Sequence, residues 1–301
     1  MFGAFMQRYD FYLTSQMAIC HKKGRKAVKM RIDVESVIAG KNPKLLRIIP
    51  RFVIRWLKRL IRQDFINEIL SEYGHLKGVE FANAVIKRLN ITYRVHGLER
   101  IDKERSYIVA SNHPMGGLDG VILIDIFGHI FESVKFVVND LLYSIDPLKP
   151  VFIPVNKFGR QSPDVARMIN DSYSGDNQIL YFPAGLCSRM TKGIIADLEW
   201  KKSYITQAIK YNRDILPVFF EGRNSGFFYK IANLRKRIGI KFNFEIVLLP
   251  NEMFRQQNST FDVYIGEPVR YEELTDGTSA GDWNKKIRER VYSLKNQLWK
   301  Q

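Results

Sequence analysis

The sequence predicts an α/β fold: a mixed sheet flanked by helices on both faces, preceded by an N-terminal basic amphipathic helical segment. Three observations carry this. From Ile91 onward, short apolar runs rich in β-branched residues recur, each the length of one buried strand. Stretches with helical spacing alternate with them, the pattern of a sheet covered on two sides. Before Ile91 the periodicity is helical and cations dominate.

Residues 1–29 carry little pattern and end in the basic cluster His21-Lys22-Lys23-Gly24-Arg25-Lys26. They are assigned no function, and Met30 offers an alternative start. Residues 30–62 form the basic segment. Leu45, Ile48, Ile49, Phe52, Val53, Trp56, Leu57, Leu60 and Ile61 recur at helical spacing and predict one apolar face. Lys44, Arg47, Arg51, Arg55, Lys58, Arg59 and Arg62 predict the opposite one, with no acid until Asp64. Pro50 should kink this helix or begin its main part. Such a helix suits a membrane surface, where each cation near an anionic leaflet contributes about 1 kcal/mol. A core-packed helix with a basic solvent face is the competing reading.

Residues 63–301 are expected to hold the folded domain. Further helices are expected through 63–90, then a period-two strand over Ile91–Val95 and a buried strand over Tyr107–Ala110. An apolar helix follows over Val121–Phe131, then strands over Val134–Val138 and Val151–Val155. Ser162–Tyr173 is helical, Gln178–Phe182 a strand, 197–211 helical and Ile215–Phe220 a strand. Strands over Lys241–Leu249 and Phe261–Ile265 and a helix over Trp283–Trp299 complete the pattern.

The 47 basic and 31 acidic side chains leave a formal charge of +16, which points to an anionic partner. A nucleic-acid binder would interleave cations with exposed aromatics or show a known module; the sequence does neither, so no nucleic acid is expected. Cys20 and Cys187 lie far apart without metal spacing, which fits a reducing compartment. No apolar run reaches the roughly 18 residues of a membrane span. Asp10 and its polar neighbours interrupt any signal-peptide core. The expected location is therefore peripheral, on the cytoplasmic face of the inner membrane, docked through 44–62. The histidines at 21, 75, 96, 113 and 129 lack ligand spacing, so no metal is expected.

Four strand ends break into Pro- or Gly-containing loops, the places where open α/β sheets gather ligands. Ser106–Gly120, SYIVASNHPMGGLDG, leaves its strand at His113-Pro114 and places Asp119 beyond Gly116-Gly117. Imidazole titrates near neutral pH, and a carboxylate can fix its tautomer, so the pair suits acid–base work. A plain turn with Asp119 capping a helix is the bland alternative; if Asp119 turns away, Asp125 is the next carboxylate. Val151–Arg160 ends with Lys157 and Arg160, Tyr181–Arg189 carries Pro183, Gly185 and Arg189, and Ile215–Arg223 has Pro217 and Arg223.

These four stretches, in this order, resemble the four blocks of the glycerolipid acyltransferase superfamily, across roughly residues 90–270. Asn112, His113 and Asp119 match its Asn-His…Asp block, with five residues between His and Asp where the family has four. Phe182, Pro183, Gly185, Ser188 and Arg189 match its Phe-Pro-Glu-Gly block, with Ala184 where glutamate is usual. The His-Pro-x-Gly-x-x-Asp form looks like the branch that acylates lyso-aminolipids such as ornithine or glycine lipids.

The resemblance implies acyl transfer from acyl-ACP or acyl-CoA to a lyso-lipid hydroxyl, with His113 as base, Asp119 orienting it and no cofactor required. It implies that Asn112, Lys157, Arg160, Phe182, Pro183, Gly185, Ser188 and Arg189 bind substrate, Arg160 and Arg189 holding an anionic head group. Glycerol-3-phosphate or lysophosphatidate acylation proper is the nearest alternative. A cysteine hydrolase built on Cys187 and a non-catalytic membrane- or nucleic-acid-binding protein are the readings from other classes.

Overall fold

A computed structural model describes residues 31–41, 43–139, 142–155, 162–241 and 243–297. Its centre is a seven-stranded mixed sheet. The strands are β1 (Thr92–His96), β2 (Tyr107–Ser111), β3 (Val134–Asn139), β4 (Phe152–Val155), β5 (Gln178–Tyr181), β8 (Asp214–Phe220) and β9 (Thr260–Ile265). A separate hairpin, β6 (Arg189–Thr191) with β7 (Ile194–Ala196), hangs from the loop after β5. The sheet order is β1-β9-β8-β2-β5-β3-β4, and only β8 with β9 is antiparallel.

β2 sits between β5 and β8 and every one of its residues is buried. Tyr107 and Val109 face one apolar cluster, Ile108 and Ala110 the other, as the period of a strand requires. Helices α4 (Gln63–Tyr73), α5 (Val79–Arg88) and α6 (Leu118–Ile130) fill the first cluster. Helices α7 (Pro163–Ser174), α8 (Ser203–Lys210) and α11 (Ala280–Gln297) supply the second. The expected two-sided α/β sheet is borne out. Among the described residues no helix is long and apolar enough to cross a membrane.

Three of the sequence expectations require correction. The strand expected over Lys241–Leu249 is a 3₁₀ turn, Phe244–Leu248, running into helix α10 (Leu249–Arg255). Its Glu245 is fully buried between Arg189 and Arg235, and that ion pair, rather than a ladder, fixes the backbone. The helix expected over 197–211 begins only at Ser203, because Asp197 and Trp200 are drawn out of it into the site described below.

The third correction concerns the basic segment, which forms α1 (Val34–Lys41), α2 (Pro43–Ile48) and α3 (Arg51–Leu60), broken at Pro50. Within α3 the apolar residues span an arc too wide for one packing contact, so one edge of it is buried and the other faces outward. Ile54 and Ile61 are buried, whereas Phe52 is 66% and Trp56 58% exposed, beside the exposed Arg51, Arg55 and Arg59. Lys58 is not on that surface: it pairs with Glu35 at 2.5 Å and Asp33 at 3.4 Å. The side-chain amides of Gln63 and Asn67 accept the Val34 and Ile32 backbone N–H groups and tie the segment to α4.

Candidate active site

The site forms where β2 ends. Beyond Ser111 the chain diverges from β8 toward Pro114, and the backbone groups of Phe220 lose their ladder partner. The Asn112 amide replaces it, accepting from the Phe220 N–H at 2.7 Å and donating to its carbonyl at 2.9 Å. Asn112 is therefore a buried clamp with its amide engaged at both ends, not a surface offered to substrate.

The next residue, His113, is held from three sides. Its carbonyl accepts the Ser188 N–H at 2.7 Å, and its own N–H donates to the Asp197 carboxylate at 3.2 Å. Its ring lies on Phe182, centroids 3.9 Å apart and planes 19° apart. Nδ1 meets Asp119 Oδ2 at 2.9 Å. The extra residue between them is absorbed at Gly116, whose φ of +79° is one that L side chains rarely adopt. A Cβ there would also stand 2.8 Å from Leu249 Cδ1 and 3.1 Å from the Cys187 Cβ.

Asp119 lies in the first turn of α6 with its side chain wholly buried. Oδ2 also accepts from the Met115 N–H at 2.9 Å, and Oδ1 from the Gly117 and Gly120 N–H groups at 3.0 Å. Burial pushes its carboxyl up, but the imidazole and the Met115 and Gly120 amides outweigh that and hold it below the ordinary carboxylate range. A carboxylate kept ionised directs the ring proton to Nδ1 and leaves the Nε2 lone pair available. A base with an oriented tautomer is what proton abstraction from a hydroxyl needs. Asp125, the next carboxylate, is occupied elsewhere, by Tyr93 Oη at 2.5 Å and Asn83 Nδ2 at 2.9 Å.

The other predicted site residues divide. Phe182 is at the imidazole, and Pro183 is buried in the turn after β5, its carbonyl accepting from Lys201 N at 3.0 Å. Gly185 has φ +63° and spends its N–H on the Phe182 carbonyl, so it shapes the turn. Ser188 is buried and donates its Oγ to Asp197 at 2.5 Å, which makes it part of the seat under His113. Arg189 does not face a head group: its guanidinium donates to Glu245 at 3.0 Å and to the Cys187 carbonyl at 2.8 Å. Lys157 and Arg160 lie outside the described residues.

Cys187 is 2% exposed, and burial pushes its thiol up to about 11, outweighing the opposing pull of Arg189. It packs beside Phe228, Tyr229 and Leu248 as a small apolar side chain, not a nucleophile.

Two buried residues at the site had not been singled out. Asp197 binds His113 N–H, Ser188 Oγ and Trp200 Nε1, the last at 2.9 Å, and burial raises its carboxyl despite those donors. Asn224 donates to the Pro114 carbonyl at 3.3 Å. Asn224 directly follows the fourth strand-end stretch and was within reach of sequence reasoning; Asp197, in Ala-Asp-Leu-Glu-Trp, carries no local signal.

A family model described as Acyltransferase matches residues 36–300. The chain is 41% identical over 264 residues to the lyso-glycine lipid O-acyltransferase of Bacteroides thetaiotaomicron, covering 87% of this chain and 97% of that protein. It is 40% identical to the Phocaeicola vulgatus protein of the same name, covering 87% and 95%. The crystal structure of the 1-acyl-sn-glycerophosphate acyltransferase PlsC from Thermotoga maritima superposes with a TM-score of 0.42 at 16% identity, over 80% of this chain and 96% of that one.

Proposed function

The chain belongs to the acyltransferase family, and from that premise we propose that it moves a fatty acyl group from acyl-ACP or acyl-CoA to the hydroxyl of a lyso-lipid. The two named relatives favour a lyso-glycine lipid or a similar lyso-aminolipid as acceptor. The observation that carries the chemistry is the His113 Nδ1–Asp119 contact at 2.9 Å. Nε2 takes the hydroxyl proton as the acceptor oxygen attacks the thioester carbonyl; the tetrahedral intermediate then expels the thiolate, which recovers the proton from the imidazolium. Phe182 limits rotation of the ring and screens one of its faces from water.

The burial of Arg189 in an ion pair fits an acceptor whose recognition does not depend on that guanidinium. His113→Ala should remove transfer, measured with acyl thioester and dispersed lyso-lipid. A general base contributes about 10²–10⁴-fold, and retention of more than about a tenth of the rate refutes the assignment.

The same proposal places the protein peripherally on the cytoplasmic face of the membrane, through 44–62. Exposed Phe52 and Trp56 beside Arg51, Arg55 and Arg59 support it, since aromatic anchors and cations both favour an anionic interface. Replacing the three arginines by Glu should release the protein from anionic vesicles while leaving it folded. Sedimentation with vesicles like wild type refutes the docking.

A further inference from the structure

Residues 222–244 contain no acid and six cations: Arg223, Lys230, Arg235, Lys236, Arg237 and Lys241. They include helix α9 (Gly226–Arg237). Phe228, Tyr229 and Ala232 turn inward, and Arg235 is spent on Glu245 at 2.8 Å. The outward arc instead carries Phe227 (57% exposed), Leu234 (54%) and, just past the helix, Ile238 (59%). At 100° per residue these three fall within about 40° of the wheel, with the exposed Lys230 and Arg237 alongside. Nothing in a folded interior calls for three large apolar side chains in water beside cations that have no acidic partner among the described residues.

Leu60 at the end of α3, Ile231 of α9 and Ile195 of the β6–β7 hairpin all pack on the Phe228–Tyr229–Cys187–Leu248 cluster, so the three pieces meet around one buried cluster. Ile194 at the hairpin tip is 70% exposed, with the exposed Lys192 beside it. Of the eleven large apolar side chains most exposed among the described residues, six lie on α2, α3, α9 and this hairpin, and a seventh, Ile238, directly follows α9. An outer surface that concentrates exposed apolar groups and carries cations without acids complements one partner, an anionic lipid surface. A soluble protein partner would call for acids or uncharged hydrogen-bonding groups along the stripe, and α9 presents no acid and, of exposed uncharged polar side chains, only Asn233.

We propose that α9 and the β6–β7 hairpin form a second membrane contact, so that the protein sits on an anionic bilayer through a composite face rather than through residues 44–62 alone. The proposal rests on the docking reading above and extends it. The cluster under this face adjoins the catalytic loop, since Cys187 precedes Ser188, whose N–H holds the His113 carbonyl.

The test compares wild type, a Phe227→Ser/Leu234→Ser/Ile238→Ser variant and a Lys230→Glu/Arg237→Glu variant with an Arg51→Glu/Arg55→Glu/Arg59→Glu variant. Partition onto phosphatidylglycerol-containing and pure phosphatidylcholine vesicles is read by sedimentation, at low and high salt. Both α9 variants should bind anionic vesicles at least about tenfold more weakly than wild type. They should keep wild-type melting and wild-type transfer to detergent-dispersed lyso-lipid. If only the α3 variant loses binding, α9 is not a contact and the inference fails while the docking reading stands. If no variant loses binding, or wild type does not bind, both fail. If the α9 changes alter self-association in sedimentation velocity and leave vesicle binding untouched, the face joins two copies of the chain and the inference is overturned. Because the charge variant changes only exposed residues, a folding defect in the apolar variant leaves the test decisive.

Discussion

Asp119→Asn separates orientation of the imidazole from mere proximity, because the carboxylate oxygens have unequal partners. Oδ1 accepts two backbone amides, from Gly117 and Gly120, and Oδ2 accepts one, from Met115, plus His113 Nδ1. An asparagine with its NH₂ at the Oδ1 position sets one donor against two; with its NH₂ at Oδ2 it opposes a single amide. Each buried donor left unmatched costs about 1–3 kcal/mol, so the second orientation is favoured by about one such increment. In that orientation an N–H faces His113 Nδ1, which must then accept. The ring proton moves to Nε2, and the atom that should take the hydroxyl proton already carries one. Rate should fall by about 10²–10⁴-fold at unchanged KM. The remaining conflict at Met115 should lower the melting temperature by a few degrees, at about 2–4 °C per kcal/mol for a domain of this size. Steady-state transfer in detergent, with melting followed by circular dichroism, reads both. A variant that keeps more than about a tenth of the rate would show that the tautomer set by Asp119 is not what the reaction uses.

Other perturbations probe the seat beneath the dyad. Arg189→Ala strands the fully buried Glu245 beside Arg235 alone and should cost about 3–5 kcal/mol of stability, read by urea unfolding; a raised KM on a stable protein would instead make Arg189 a head-group ligand. Asp197→Asn turns an NH₂ toward His113 N–H, Ser188 Oγ or Trp200 Nε1, and should lower kcat more than it raises KM while Asp197→Ala also unfolds more readily. Asp119 has its carboxyl held low, so its contribution to stability is complete above the unfolded value near about pH 4 and disappears as pH falls through the lower folded one. Wild type should therefore lose stability on acidification below about pH 4 more steeply than Asp119→Asn, and parallel acid titrations of the two would refute this.

The parts of the fold that were legible from sequence are those a local pattern encodes. The buried strands announced themselves as apolar runs, and their ends as Pro or Gly, because a ladder tolerates neither well. His113 and Asp119 were legible because their pairing is local and Gly116 supplies the necessary φ. What escaped was settled across the chain. The apolar residues of 244–248 look like a strand until Glu245 is seen to meet Arg189 and Arg235, an ion pair with no trace in local periodicity. Arg189 and Asn112 looked like ligands for substrate because a polar side chain in a loop motif gives no sign that its partners are internal. The apolar arc of α3 reads as one face in the sequence, and only the packing shows that its Ile54 edge is buried while its Phe52–Trp56 edge is exposed.

The wiring of the site also has a consequence for how the chain must be made. The dyad itself closes over six positions, yet what immobilises it arrives much later: Ser188 is 75 residues beyond His113, Asp197 is 84, and Phe220 is 108 beyond Asn112. β2, meanwhile, lies between strands from two later segments, β5 and β8. Parallel neighbours so distant in sequence close slowly, because the loop entropy is spent before any contact rewards it. During synthesis, then, the stretch from Tyr107 to Ser111 emerges with neither edge covered; β5 can cover one, but the other stays open until β8 follows it out. A ribosome paused before residue 214 would present an apolar strand with an open edge, a target for chaperones or for a second nascent chain. Substitutions at Asn112 or Ser188 should accordingly reveal themselves first as poor yield of folded protein, before any change in catalysis can be measured.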